Sequence, residues 1–449
     1  MSVLRVRPGA PLSGSTTVPG DKSIAHRLLL LAAIGEGTSE ITGLPASDDV
    51  ASTASCLAQL VPDLRPELQV WNSNPGVRRD GGRFTSDASR PRPSIHLVAG
   101  GRAGLAPAGA ALDCGNSGTT LRLLLGLLAA APGTAVLVGD PSLSVRPMER
   151  VARPLRAMGA DISTTDGHPP VTVTGGALVG MRFVAEVPSA QVKGAILLAG
   201  LAAQGETRVD EPIPTRDHTE RILHALGVSA APVPVVRSAA VPAFRAEVPG
   251  DLSGAAFLAA AALATGGRCT IDGVGLNPTR RGFVDLLERM GARLETRTER
   301  ISVGEPIGTL EVASGSSLRA LEASAAEVAG AIDEIPVLAL LAALAPAASR
   351  FRGVGELRVK ESDRGTAIVD AIRGLGGEAA AEGGDLVVAG GGLRGGRVDP
   401  RGDHRIAMAA AVAGLACPEG AEIVGAECAS VSFPGFPHAL RALGADVEG

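Results

Sequence analysis

The sequence uses lysine so sparingly that each lysine is a candidate for chemistry. It holds 39 arginines but only three lysines, which are Lys22 in "GDKS", Lys193 in "SAQVKG" and Lys360 in "RVKESDR". Arginine is a planar cation that keeps its proton, whereas lysine is a compact charge that can give one up. We therefore expect Lys22 and Lys360 to be present for the chemistry of a site. Lys193 lies within an apolar segment, and we expect it to cap a helix or pair with an acid.

Carboxylates beside these lysines supply the other half of a proton-transfer set. Asp333 and Glu334 open an apolar segment, and Glu361 directly follows Lys360. An acid at a helix start is most often a complement to the helix dipole, and that explanation alone would account for both "DEIP" and "KESDR". Taken with the lysines, the same carboxylates provide candidates for a general base and a general acid.

These residues belong to a repeat that positions them. The stretch "VPGDKSIAHRLLLLAAIGEGTSEI" from Val18 returns as "VPGDLSGAAFLAAAALATGGRCTI" from Val248. Each copy has a polar prefix, roughly three apolar turns, a Gly or Pro break and a short strand. A helix that is apolar all round belongs inside a domain. Four weaker copies begin at Leu112, Val187, Ile332 and Asp399.

A second, amphipathic kind of helix alternates with the apolar one. Five of its six copies end in Met-Gly or Leu-Gly, and a glycine there predicts a left-handed helix cap. The unit is thus helix, strand, helix, strand, used three times in each half of an α/β protein. The glycine-ended copies span 146–159, 216–227, 279–291, 361–376 and 433–444, and the sixth copy, which lacks the glycine, spans 47–60.

The polar prefixes all fall at predicted helix N-termini. They read "GDKS", "GNSGTT", "PSAQ", "GDLS", "DEIP" and "GDHR". Free N–H groups and the helix dipole favour anions there. A single Asp or Ser at such a place is usually only an N-cap. Six prefixes, several of them with further cations or amides, predict helix ends that converge on a strongly anionic ligand.

Composition excludes several classes of function. The net charge of −5 and an aromatic content of 2% argue against general nucleic-acid binding. The five cysteines are scattered singly, which is neither a zinc pattern nor a disulfide framework, and we expect most to be buried. No histidine spacing predicts a metal site, "GGGLRG" is not followed by a helix, and no segment reads as a signal peptide or membrane span. A cytoplasmic protein is expected.

The motifs together resemble one family. The chain carries "PGDKSIAHRLLLLAAI", "LDCGNSGTTLRLL", "SLSVRPMERV", "SAQVKGAILLAGL", "RDHTER", "DEIPVLA", "RVKESDR" and "GDHRIAMA" in the order found in 5-enolpyruvylshikimate-3-phosphate synthases. The resemblance covers nearly the whole chain, and "RVKESDR" with "GDHRIAMA" is highly specific. "SAQ" and "RPMER" resemble the family's class II branch.

The resemblance implies two similar α/β domains, each of three βαβαββ units with buried parallel helices under sheet. The first lobe would be 21–249, and the second lobe would be 1–20 with 250–449. The implied reaction transfers the enolpyruvyl group of phosphoenolpyruvate to the 5-hydroxyl of shikimate 3-phosphate by addition and elimination, and releases phosphate. No metal and no organic cofactor is implied, the partners are the two substrates alone, and a monomer is expected.

The resemblance also implies roles residue by residue on the shikimate 3-phosphate side. Lys22 would touch both substrates and serve in proton transfer. Asp333 would accept the 5-hydroxyl proton, and Glu361 would be the acid–base partner at the methylene carbon. The remaining implied ligands are Ser23 and Arg27 at the carboxylate, Ser189, Ala190 and Lys360 at the phosphate, and Gln191, Thr215 and Arg216 nearby.

On the phosphoenolpyruvate side, the resemblance implies a phosphate site and a carboxylate clamp. Arg364 and Arg405 would clamp the carboxylate. Ala190 stands where class I enzymes have a second phosphate-binding Ser, and Val431 stands where they carry a Lys near this phosphate. The implied ligands of the phosphate are Asn116, Gly118, Arg146, Gln191 and Lys22.

Two alternatives and one excursion remain open at this stage. The sister enzyme that transfers enolpyruvyl to a UDP-amino sugar shares the architecture, but it depends on a loop cysteine and lacks "KESDR". A phosphometabolite-binding protein without activity would not need the proton-transfer pair. The polar stretch 71–94 is longer than the family requires, and a surface excursion is expected there.

Overall fold

The computed structural model describes residues 2–61, 77–80, 83–86, 94–106, 111–315 and 317–449. Most of the polar stretch 71–94 lies outside these residues. The helices are α1 (Lys22–Ala33), α2 (Asp48–Leu60), α3 (Gly118–Leu128), α4 (Pro141–Ser144), α5 (Glu149–Ala157), α6 (Ala190–Gly200), α7 (His218–Ala225), α8 (Leu252–Ala264), α9 (Gly282–Arg289), α10 (Ala325–Gly330), α11 (Ile335–Leu344), α12 (Arg364–Gly374), α13 (His404–Gly414) and α14 (Phe436–Ala442).

The two predicted kinds of helix are confirmed. Helices α1, α3, α6, α8, α11 and α13 are buried over almost their whole length, as their continuous Ala, Leu, Val and Ile require. Helix α2 ends without a glycine, at Val61 in an extended conformation. The other five amphipathic helices are followed by a glycine with positive φ, as a left-handed cap demands: Gly159, Gly227, Gly291, Gly376 and Gly444.

Three sheets accompany the helices up to α7. Each has at least one parallel pair, and in two of the three sheets the paired strands are joined by a crossover through one buried helix. In chain order they are β3 (Gly35–Thr42) with β6 (Ser94–Gly100), β14 (Val241–Pro242) and β15 (Arg245–Glu247); β7 (Ala111–Asp113), β8 (Thr134–Val138), β9 (Asp161–Thr165) and β10 (His168–Thr174); and β11 (Arg182–Val184), β12 (Glu206–Asp210) and β13 (Val235–Arg237).

Three further sheets accompany the helices from α8 onward, and they take in the first two strands of the chain. They are β2 (Ser15–Thr17), β16 (Arg268–Gly275), β17 (Ala292–Ser302) and β18 (Glu305–Ser314); β19 (Glu322–Ala323), β20 (Ser349–Phe351), β21 (Ala379–Glu382) and β22 (Asp385–Val388); and β1 (Val3–Arg7), β23 (Gly396–Val398), β24 (Ala421–Val424) and β25 (Asp446–Glu448). Strands β4 (Val77–Asp80) and β5 (Arg83–Ser86) form a separate antiparallel pair.

The buried apolar side chains form two separate clusters. The first core collects side chains from Ile24 to Val248, and the second core collects those of Leu4–Val18 together with Leu252–Val447. The two "VPGD" copies lie side by side between the cores. The Asp21 N–H donates to the Pro249 carbonyl at 2.7 Å, and the Asp251 N–H donates to the Pro19 carbonyl at 2.8 Å. Among the described helices, none is long and apolar enough to cross a membrane.

Candidate active site

The six buried helices begin at the wall of one cavity. Helices α1, α3 and α6 of the first core bring their N-termini to it, and α8, α11 and α13 of the second core face them. The predicted convergence of helix ends is therefore confirmed. The wall includes Lys22, Ser23, Asn116, Gly118, Arg146, Ser189, Ala190, Gln191, Thr215, Arg216, Asp251, Ser253, Arg280, Asp333, Lys360, Glu361 and Arg405.

Side-chain caps fix five of these six N-termini. Asp21, Ser117, Ser189, Asp251 and Asp403 each accept a hydrogen bond from a backbone N–H in the first turn that follows. Helix α11 differs, because Glu334 occupies its N-cap position without making a capping bond. The "DEIP" carboxylates are therefore not used as caps, and both are engaged by cations instead.

Asp333 is the carboxylate on which the cations of the cavity converge. Its Oδ2 lies 2.6 Å from Nη2 of Arg216, and its Oδ1 lies 3.7 Å from Nζ of Lys360. Arg405 donates to the Asp333 carbonyl at 2.7 Å. Burial would raise the pKa of this carboxyl, but the charges of Arg405, Arg216 and Lys360 outweigh burial and hold the pKa well below its usual range. These cations therefore keep Asp333 in its ionised form.

Glu361 lies between two arginines from different sides of the cavity. It accepts a short hydrogen bond from Nη2 of Arg364, and its Oε1 is 3.9 Å from Nη1 of Arg146. Burial raises the pKa of Glu361, but the charge of Arg364 and its neighbours dominates and holds the pKa well below the usual range. Glu361 is therefore ionised while it pairs with these arginines.

The two lysines at the cavity have different surroundings. Nζ of Lys22 lies 2.6 Å from Oδ2 of Asp49 on α2. The pKa of Lys360 is lowered. Burial is the main cause, and although the charge of Asp333 opposes it, the charge of Arg364 adds to it. His404 stays neutral beside them, since burial, assisted by the charge of Lys22, lowers its pKa to about 3.

The N-termini of α3 and α6 meet at one corner of the cavity, where Arg122 lies beside Gln191. The Gln191 side-chain amide donates to Oγ1 of Thr119 at 2.9 Å and accepts from Nη1 of Arg122 at 2.5 Å. Burial, followed by repulsion from Arg150 and Arg146, lowers the pKa of Arg122 to about 9. Since the charge of this arginine is poorly compensated, an anion bound at the corner would be favoured.

Two of the residues named from the sequence lie behind the wall. Nε of Arg27 donates to Oγ1 of Thr219 at 2.7 Å, and its Nη1 donates to the Ser23 carbonyl at 2.8 Å. Arg364 is 1% exposed, and its Nε donates to Oδ2 of Asp403 at 2.8 Å. Lys193 pairs with Glu211 and Glu220 at 2.7 Å each, which confirms its expected pairing with an acid.

Sequence reasoning missed several polar residues at the cavity. Asp49 is one of two acids at the start of α2, where acids are common. The neighbouring sequence therefore does not indicate that it pairs with Lys22. Arg122 could have been identified from the sequence, because its charge inside "LRLLLGLL" interrupts an otherwise apolar helix. Arg150 and Glu356 form an ion pair of 3.1 Å between a first-core helix and a second-core segment. Arg280 was also missed.

The fold and the site define a class of protein. Two α/β halves of three units each meet at a cavity lined by two lysines, several carboxylates and several arginines, and six helix N-termini lie at its wall. Such a cavity suits strongly anionic substrates and acid–base chemistry between them. No cysteine is among the described residues that line this cavity; Cys56, Cys114, Cys269 and Cys417 are buried elsewhere, and Cys428 is partly exposed.

Comparison with known proteins specifies the family. The model of the EPSP synthase (3-phosphoshikimate 1-carboxyvinyltransferase) family matches residues 6–86 and 86–440. The chain is 44% identical over 445 residues to the 3-phosphoshikimate 1-carboxyvinyltransferase of Thermus thermophilus, with 97% of each chain covered. It is 41% identical over 455 residues to that of Acidithiobacillus ferrooxidans, with 99% of this chain and 98% of the relative covered.

A solved structure agrees with the sequence comparisons. EPSP synthase from Acinetobacter baumannii superposes with a TM-score of 0.81 at 37% identity, covering 100% of this chain and 99% of that one. The chain belongs to the EPSP synthase family. It is an enzyme with the enolpyruvyl transferase fold, and its family acts in the shikimate pathway of aromatic amino acid biosynthesis.

Proposed function

We propose that this chain transfers the enolpyruvyl group of phosphoenolpyruvate to the 5-hydroxyl of shikimate 3-phosphate in the cavity between the two cores, and releases phosphate. The observation that carries the proposal is the meeting of six helix N-termini around Lys22, Asp333 and Glu361. The two substrates together bring several negative charges, and a preorganised cationic cavity can hold them at reacting distance.

The acceptor is proposed to lie against α1, α6 and Lys360. Ser23 and Arg27 take the shikimate carboxylate, while Ser189 and Lys360 take the 3-phosphate, with Ala190, Gln191, Thr215 and Arg216 beside them. Arg27 reaches this place from behind Ser23, whose carbonyl it already contacts. A phosphate near Lys360 would also raise the lowered pKa of that lysine, because it adds negative charge next to the ammonium.

Phosphoenolpyruvate is proposed to lie against α3 and α13. Its phosphate takes Lys22, Gln191 and Arg146 together with the loop of Asn116 and Gly118. Its carboxylate takes Arg405 and Arg364. The poorly compensated charge of Arg122 supports the phosphate corner, because Arg122 and Gln191 are already hydrogen-bonded there.

Proton transfer is proposed to use three groups. Asp333 accepts the 5-hydroxyl proton as the oxygen bonds to C2 of phosphoenolpyruvate, and Lys22 assists. Glu361 supplies a proton to the methylene carbon and removes one when phosphate leaves. A substrate carboxylate that engages Arg364 would weaken its bond to Glu361. The pKa of Glu361 would then rise, so the acid forms only when substrate is bound.

The two lobes predicted from the sequence, 21–249 and 1–20 with 250–449, are part of the same proposal. The two hydrophobic cores divide at the paired "VPGD" segments, which supports hinges there. Closure of the lobes would exclude water from the substrates. A monomer in the cytoplasm completes the proposal, with the two substrates as its partners.

The decisive experiment measures phosphate release from phosphoenolpyruvate by the purified chain of 449 residues. Shikimate 3-phosphate and UDP-N-acetylglucosamine are supplied separately as acceptors. Release that depends on shikimate 3-phosphate supports the proposal. Release only with the UDP-sugar would assign the sister reaction, and a folded protein that is silent with both acceptors would be a binding protein.

A further inference from the structure

A four-residue segment joins the second core to the back of the active site. Residues Asn277–Arg280 link β16 to α9, and the side chains of Asn277 and Arg280 are buried. Arg280 reaches the cavity wall, but it is not among the proposed ligands of either substrate. An arginine that is 4% exposed must have its charge compensated by neighbouring groups.

The guanidinium of Arg280 bridges acids from three helix N-termini. Its Nη1 lies 3.2 Å from Oδ2 of Asp21, and its Nη2 lies 3.3 Å from Oε1 of Glu334. The same Nη2 donates to Oγ of Ser253 at 2.6 Å and is 3.7 Å from Oδ1 of Asp251. A planar fork with several donors can serve these partners at once, which a lysine ammonium on a flexible chain cannot do.

Two of these acids are chain neighbours of the proposed reacting groups. Asp21 caps α1 and directly precedes Lys22. Glu334 directly follows Asp333 and occupies the N-cap position of α11. Arg280 therefore contacts the chain neighbours of both Lys22 and Asp333, although these two residues belong to different cores.

The other end of the segment holds a third site residue. Nδ2 of Asn277 donates to Oδ1 of Asp217 at 2.9 Å, and Oγ1 of Thr279 donates to the same oxygen at 3.2 Å. Asp217 directly follows Arg216, which pairs with Asp333. The segment Asn277–Arg280 thus supports the Arg216 side of the cavity as well.

Charge makes this arrangement dependent on Arg280. The buried guanidinium of Arg280 is surrounded by three carboxylates, those of Asp21, Asp251 and Glu334. Removal of this cation would leave the three carboxylates to repel one another. Burial, with repulsion from Asp21, raises the pKa of Asp251 to about 6 even with Arg280 present. Without Arg280, the ion pairs that connect the N-termini of α1 and α11 would be lost.

We propose that Arg280 is a positioning residue for the transfer reaction, which holds Asp21 and Glu334 together and thereby sets the separation of Lys22 and Asp333 across the cavity. The inference rests on the proposed function, because it takes Lys22 and Asp333 as reacting groups. Arg280 touches neither reacting atom and exchanges no proton. Its effect is on the geometry from which the proton-transfer groups act.

The test compares Arg280→Ala with wild type and with Arg281→Ala in the phosphate-release assay. Arg281 is the matched control, because its side chain is 54% exposed and pairs only with Asp285 among the described residues. Arg280→Ala is expected to lower kcat about 100-fold, the scale of a misplacement of about 1 Å, with both KM values within about threefold of wild type. Arg281→Ala is expected to keep both constants.

Chemical rescue separates positioning from a general loss of structure. Because Arg280 borders the cavity, millimolar guanidinium chloride is expected to restore part of the kcat of Arg280→Ala, and sodium chloride at equal ionic strength is not. A folded Arg280→Ala with kcat within threefold of wild type would overturn the proposal. So would a loss that appears in both KM values and is not rescued.

A second variant covers the case in which Arg280→Ala does not fold. Arg280→Lys keeps one cation but bridges fewer acids, so its kcat is expected to fall about tenfold with unchanged KM values. A wild-type kcat in Arg280→Lys would overturn the proposal in that case. Wild-type protein that released no phosphate would instead refute the proposed function, and the two failures are therefore distinguishable.

Discussion

At the scale of single residues, Asp333 shows how the cavity balances its charges. Arg216, Lys360, Arg364 and Arg405 all lie within 4 Å of its carboxylate oxygens. Anionic substrates would compete for these same cations. Asp333 would lose some of its partners as the substrates bind, and the pKa that they hold down would rise toward that of a more effective base.

Replacement of Asp333 by Asn separates binding from turnover. Asp333→Asn keeps the size of the side chain but removes the proton acceptor, so kcat is expected to fall by about 10²–10⁴-fold. The Kd of shikimate 3-phosphate is expected to stay the same or decrease, because the cations lose a competing anion. Titration calorimetry and the phosphate-release assay measure the two quantities. Unchanged turnover would remove Asp333 from the role of base.

Replacement of Lys22 by Arg tests whether the lysine is present for its proton. Lys22→Arg retains the positive charge beside Asp49, so the thermal unfolding midpoint is expected to match wild type. Nearly all turnover is expected to disappear, because a guanidinium neither releases a proton at neutral pH nor fits the place of an ammonium. Near-wild-type kcat in this variant would contradict proton transfer by Lys22.

At the scale of elements, the helix starts are what the sequence specifies best. Apolar periodicity and the caps Asp21 and Asp251 predicted two buried helices with polar N-termini, and both exist. "DEIP" was harder, since Glu334 stands at the N-cap position but makes no capping bond. Its partner is Arg280, fifty-four residues away in sequence, and no local pattern records a contact of that kind.

The start of α3 offers a prediction about phosphate binding. A Cβ atom on Gly118 would lie 2.8 Å from Nη1 of Arg122 and 3.3 Å from Nη1 of Arg146, so both guanidinium ends would have to shift. Gly118→Ala is therefore expected to raise the KM for phosphoenolpyruvate about tenfold with a smaller change in kcat, as lost ground-state binding does. Initial-rate kinetics with each substrate varied in turn measure this.

The matched control for this substitution is Gly176→Ala. A Cβ atom at Gly176 meets nothing within 4 Å, and its φ is not positive, so both KM values should remain at wild type. In Gly118→Ala, the KM for shikimate 3-phosphate should also change little. An equal rise in both KM values would indicate that α3 as a whole had moved, which is contrary to the local account.

At the scale of the whole molecule, the sequence predicted the number and kind of repeats more readily than their interlocking. Periodicity revealed six helix pairs, but the pairing of β1 with β24 and β25 is non-local. The resemblance to a family, rather than the pattern of residues, led us to expect the N-terminus in the second lobe. Ion pairs between the cores, such as Arg150 with Glu356, depend on that interlocking.

Buried neutral histidines connect global stability to pH. Nδ1 of His26 is 2.7 Å from Oγ1 of Thr53 beneath the active site, and burial lowers the pKa of His26 to about 3. In the unfolded chain, a histidine takes up a proton near pH 6.5. Below that pH the unfolded state binds more protons than the folded state, so the free energy of unfolding falls by about 1.4 kcal/mol per pH unit for each such histidine.

Replacement of His26 by Gln should weaken this dependence. Gln keeps polar atoms near Thr53 but does not titrate, so the stability advantage of wild type over His26→Gln should shrink by about 1 kcal/mol between pH 7 and pH 5.5. Urea unfolding of both proteins at the two pH values measures the change. Between pH 7.5 and 8.5 the difference should stay constant, because histidine is neutral in both states there. A difference that did not vary below pH 6.5 would mean that His26 takes up a proton in the folded protein as readily as in the unfolded chain.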